Sequence, residues 1–107
     1  MRDAIHSSDL INAFDAFFRA PRVAEVYNIG GGRFSNVSVL EALALVQELT
    51  GEEIATTYRD EARIGDHIWW ISDNGRFAAH YPGWSLAYDA RAIAAELYER
   101  NRERWMP

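Results

Sequence analysis

The 107-residue chain contains no cysteine and no lysine, and no apolar run approaches the roughly 18 residues needed to cross a bilayer. Without cysteine there is neither a disulfide framework nor a thiolate metal site, a composition that suits the cytoplasm. Without lysine, all eleven basic residues are arginine, so no tyrosine can have a lysine partner. The chain also lacks a surplus of positive charge. Its formal net charge of -5 provides no basic stripe, which argues against a nucleic-acid partner. The first residues, Met1 to His6, have no signal-peptide apolar segment. The expectation is a soluble cytoplasmic protein with no membrane partner.

Aromatic residues are what the chain has in abundance: four Trp, five Tyr and five Phe. Rings of this size either fill a core or line a partner surface. With 49% hydrophobic and 25% charged residues, one domain spanning 1–107 is expected, with no room for a second. Leu10, Ile11, Phe14, Phe17 and Phe18 recur at helical spacing after a serine cap at Ser7 or Ser8, and Pro21 ends that helix. This first helix should bury a strong apolar face. Glu25 to Ile29 reads as a strand ending at Gly30-Gly31-Gly32, and Ile54 to Tyr58 as a second. Between them, Ser38 and Glu41 have capping-box spacing ahead of a helix closed by Gly51. Ser72 or Asp73 caps a short helix that stops before Tyr81-Pro82-Gly83, and Asp89 caps a last, charged helix. The order favours an α/β fold with a small sheet of at least two parallel strands and about four helices.

The stretch Arg63 to Asp73 carries the densest chemistry. Gly65 permits a turn that brings Arg63 and Asp66 together, an arginine fork suits phosphate, and His67, Trp69 and Trp70 follow as base-stacking or sugar contacts. The plain alternative is a surface ion pair beside core tryptophans, with at least two of Trp69, Trp70 and Trp84 inside. Likewise Gly30-Gly31-Gly32 reads either as a phosphate cradle before the second helix or as a simple turn. Asp3 and Asp9 read as an acid/base pair, to which the resemblance described next opposes a role in fixing the backbone and the helix cap, and the histidines lack metal-ligand spacing.

Three segments, in order, resemble the C-terminal part of NAD-dependent nucleotide-sugar epimerases and dehydratases of the extended short-chain dehydrogenase/reductase superfamily. They are Arg2-Asp3-Ala4-Ile5-His6-Ser7-Ser8-Asp9-Leu10, Tyr27-Asn28-Ile29-Gly30 with Ser38-Val39-Leu40-Glu41, and Arg63-Ile64-Gly65-Asp66. The form Gly65-Asp66-His67-Ile68-Trp69-Trp70, with His80-Tyr81-Pro82-Gly83-Trp84 downstream, is most similar to CDP-paratose (tyvelose) 2-epimerase-like members. The resemblance implies substrate diphosphate and ribose contacts at Arg2, Arg63 and Asp66. It implies no catalytic residue here, because the glycine-rich NAD fingerprint and the Tyr-x-x-x-Lys pair are both missing. NAD belongs to the parent family and no cofactor to this chain, which resembles the substrate-binding part without the Rossmann domain.

Three functions follow as expectations. The first is a domain non-catalytic alone that retains nucleotide-sugar binding. The second is an interaction module with no ligand, assembling as a homodimer or larger oligomer through the first helix and the Tyr27 strand. The third is a subunit completed by a separate NAD-binding chain.

Overall fold

The computed structural model describes residues 1–105. In chain order it contains β1 (Arg2–Asp3), α1 (Ser7–Arg19), a single 3-10 turn (Gly32–Phe34), β2 (Asn36–Val37), α2 (Val39–Thr50), α3 (Gly75–His80) and α4 (Ala90–Trp105). The result is a small mixed α/β fold with four α-helices and one two-stranded sheet.

The sheet is antiparallel, not parallel, and neither expected strand belongs to it. Arg2 faces Val37 and Asp3 faces Asn36, while the isolated parallel bridge from Arg2 to Trp70 brings in a third extended segment. Two-residue strands leave no periodicity to read, so this sheet was invisible in the hydropathy pattern. The Glu25-to-Ile29 segment lacks a ladder because side chains take the place of a neighbouring strand. Arg76 Nη1 donates to Val26 O at 3.3 Å, and at the end of the segment Asn74 both donates to Gly30 O and accepts from Gly30 N. Ile54 to Tyr58 is β-branched in composition but exposed throughout, with the Ile54 N–H held by Gln47 Oε1 at 2.8 Å. Without a partner surface, composition alone did not make a strand.

The helices follow their local signals more closely. Ser38 Oγ accepts from Glu41 N while Glu41 Oε2 accepts from Ser38 N, the reciprocal pair expected for α2, and Gly51 closes it at φ 73°. Asp89 Oδ1 accepts from Ala92 N at the start of α4. Two other caps differ from expectation. His6, not a serine, caps α1, its Nδ1 accepting from Ser8 N. At α3 the cap position is Asn74, whose amide is committed to Gly30, and Asp73 instead accepts from Gly75 N.

α2 packs against α4, and the Arg91 guanidinium forks onto Glu48 at 2.6 and 3.0 Å. The main core lies under α1, where Ala13, Phe77, Tyr81 and Trp84 are buried with Ile5, Ala16, Tyr27, Ile29 and Leu86 around them. Phe77 meets Trp84 edge to face at 5.0 Å, and Tyr27 meets Phe77 the same way. Asp9 fastens this core to the chain before α4. Its carboxylate accepts from Ala87 N and Tyr88 N, and its carbonyl accepts from Trp84 Nε1.

The apolar burial expected of α1 is only half met. Ala13 is sealed, but Ile11, Phe14 and Phe18 are 62%, 61% and 83% exposed. The whole molecule is thin, with extents of 49 × 35 × 19 Å and a radius of gyration of 16.8 Å. A compact chain of this length has a radius of about 13 Å.

Candidate functional site

The residues that place the Arg63 turn are at the two ends of a long connection. After α2 the chain runs exposed from Gly51 to Trp70, then returns beside β1, where Asp3 N donates to Trp70 O at 3.2 Å and Trp70 N to Met1 O at 3.0 Å. Gly65 sits at φ 80°, a left-handed conformation that costs glycine little, and Asp66 N closes the turn onto Arg63 O at 3.1 Å. Because β1 lies next to Trp70, the Arg2 side chain reaches the same turn.

The three expected diphosphate contacts therefore converge. Arg2 Nη2 donates to Asp66 Oδ1, and Arg63 Nη2 approaches the same oxygen at 3.8 Å. Two guanidinium groups share one carboxylate in an open, solvated position, where such pairs are worth little by themselves. An anion with more oxygens than a carboxylate could engage both forks at once.

Beside this cluster lies a groove of about 660 Å³, lined on one side by Tyr27, Asn28 and Ile29 and on the other by Trp69 to Asp73. Trp70 belongs to both places, since its backbone pairs with β1 and the residue is part of the groove lining. Trp69 and Trp70 are 64% and 53% exposed, so of the three tryptophans weighed for the core only Trp84 is buried. His67 stays outside the groove lining and meets the Trp70 ring edge to face at 4.9 Å. Sequence reasoning did not assign the groove to Asn28, Ile71 and Ser72. Its signal was the pair of extended segments on either side of the glycine run.

The glycine run is a packing device. Gly32 N donates to Asp3 Oδ2, which also accepts from Ser72 N, both at 2.9 Å, and α2 begins only at Val39. Burial pushes the Asp3 carboxyl up, but the hydrogen bonds from Ser72 and Gly32 outweigh it and hold the group below its ordinary value of 3.8. A folded-state value below the unfolded one gives stability that is complete above the unfolded value and lost as pH falls through the folded one. Denaturant midpoints should therefore decline as pH falls below about 4, and the decline should be shallower in Asp3→Asn; equal slopes would contradict this anchoring role.

Asp3 and Asp9 thus bind backbone N–H groups, which leaves no acid/base pair between them. Tyr27 O–H lies 2.7 Å from His80 Nδ1, and burial together with Tyr81 and Glu25 raises the phenol above its usual 10.0. It is a phenol at neutral pH, not a base. His6 stacks on Tyr88 at 3.9 Å and pairs through Nε2 with Glu96 at 2.9 Å. Among the described residues no group of three His, Cys, Asp or Glu side chains is placed to hold a metal, and no helix is long and apolar enough to cross a membrane. Comparison with known proteins adds no relative: no family model, no curated protein and no solved structure matches the chain.

Proposed function

We propose that this chain is a non-catalytic binding module for the diphosphate of a nucleotide or nucleotide-sugar, related to the C-terminal part of the NAD-dependent epimerases and dehydratases. The observation that carries the reading is the convergence of Arg2 and Arg63 on Asp66. Those positions are 61 residues or more apart in sequence for Arg2, yet one turn gathers them. In the bound state the diphosphate oxygens take the two guanidinium forks, Asp66 turns to a ribose hydroxyl, and the base or sugar lies along Trp69 and Trp70. Arg2, Arg63 and Asp66 do not line the groove themselves; the bridge between Arg2 and the groove residue Trp70 supports reading the turn and the groove as one binding surface.

Calorimetric titration with CDP and UDP tests this. Saturable binding should weaken about tenfold or more in Arg63→Ala, the equivalent of one charge-assisted hydrogen bond of about 1.5 to 3 kcal/mol. Binding that is indifferent to Arg63 and to Arg2→Ala would remove the reading.

A further inference from the structure

We infer that the outward face of α1 is the interface of a homodimer in which each copy inserts Phe18 into an apolar groove of the other. The inference is independent of the diphosphate site. α1 carries two apolar sectors where one packing partner needs only one. Asp9, Ala13 and Ala16 point into the core, while Ile11, Phe14 and Phe18, spaced by three and four residues, form a second, largely exposed stripe in which Phe14 also lines a groove. An exposed stripe of this size on a helix is an interaction surface.

The occupant follows from three features of the same face. The first is shape. Next to Phe18, between α1 and the extended Glu25-to-Ile29 segment, lies a groove of about 380 Å³ lined by Ala13, Phe14, Phe17, Tyr27, Ile29 and Phe77 together with Glu25. A cavity of roughly 150 Å³ suffices for a benzene ring, so a phenylalanine side chain fits here. The projecting Phe18 ring and the recess that receives it are neighbours on one surface, the requirement for a two-fold, self-complementary contact.

The second feature is charge. The chain is acidic overall, which would set two copies against each other, but the rim of this face has both signs. Asp15 pairs with Arg19 at 2.7 Å, Glu25 faces Arg76 at 3.8 Å, and Arg22 is exposed nearby in sequence. Two copies can meet here without a field of one sign.

The third feature is area. The chain exposes 8557 Å², about 2,500 Å² more than the roughly 6,060 Å² of a folded monomer of 12.2 kDa. A third of that excess from each copy makes the ~1,600 Å² of a standard stable interface. The exposed connection between α2 and the Arg63 turn shares in that excess. The extended Tyr27 segment thus contributes to the interface as a groove wall, and not as the edge strand that its composition suggested.

Sedimentation or light scattering of the full chain over a hundredfold dilution tests the inference. The expected mass is twice 12.2 kDa. Phe18→Asp should give the single-chain mass with unchanged helix content by circular dichroism, whereas Ile64→Asp, fully exposed but in the Arg63 turn, should remain dimeric. Should Phe18→Asp lose its helix signal, Phe18→Ser decides, with a dissociation constant expected to rise at least tenfold. A single-chain mass for the unmodified protein at every concentration overturns the proposal and assigns the face to a different polypeptide. A dimer that survives Phe18→Asp or Phe18→Ser unchanged overturns it too.

Discussion

Asp9→Ala should be among the most destabilising single substitutions in the chain, costing about 3 kcal/mol or more. Asp9 is 1% exposed, and its carboxylate accepts from Ala87 N and Tyr88 N, all at 3.1 Å. Truncation leaves two backbone N–H groups without an acceptor where water cannot easily replace it, and each such loss costs about 1 to 3 kcal/mol. The damage spreads because Trp84 Nε1 donates to Asp9 O, so any shift of this first helical turn moves the largest ring in the core. A core of four sealed residues has little in reserve. Thermal unfolding should fall by more than 10 °C, at about 4 to 8 °C per kcal/mol for a domain of this size. Asp9→Asn keeps one carbonyl acceptor and should lose roughly half as much. Near-equal melting of Asp9→Ala and the unmodified chain would contradict the assignment of Asp9 as an anchor.

Gly31→Ala should be comparably damaging for a different reason. A Cβ at this position would fall inside the contact radii of two backbone oxygens, Ala4 O and Ser35 O. The backbone that carries them is restrained, because Ala4 N donates to Ser35 O at 2.9 Å and Ser35 N to Gly31 O at 3.1 Å. Relief of the overlap therefore separates β1 from β2 and withdraws Arg2 from the Arg63 turn. The expected cost is about 3 kcal/mol or more, in the upper range for overpacking. Gly51→Ala is the control. It has the left-handed φ of 73° but nothing within contact distance of a Cβ, so only the local conformational penalty of about 1 kcal/mol applies. Comparable melting temperatures for the two variants would mean that the glycine run is not a close-packed junction.

The contrast between these glycines shows what could be read from the chain and what could not. Gly51 announced itself, because a glycine after a helical run is a local signal, as were Ser38 with Glu41 and Asp89. The need for Gly31 depends on Ala4 and Ser35, which only the folded chain brings together. The same holds for strands. Val26, Tyr27 and Ile29 have the right composition, but a strand is a relation between two segments, and here Asn74 and Arg76 fill the place of a second one. The candidate site was legible where it depends on a turn: Gly65 allowed Arg63 and Asp66 to meet. Arg2 joined them through the resemblance, since no local pattern links positions 2 and 66. The exposure of Trp69 and Trp70 was not legible, because large rings in a small domain are ordinarily its core. Here the core formed under α1 from Phe77, Tyr81 and Trp84, leaving the other two rings along the groove.

The measurement that tests the functional account most directly is a calorimetric titration of the unmodified chain with a graded set of ligands: cytidine, CMP, CDP and inorganic pyrophosphate. If Arg2 and Arg63 grip a diphosphate while Trp69 and Trp70 hold what is attached to it, CDP should bind more tightly than either CMP or pyrophosphate, and cytidine should bind weakest. Affinity that is equal for CMP and CDP, or heat absent for all four at millimolar concentration, would contradict a diphosphate site at the Arg63 turn.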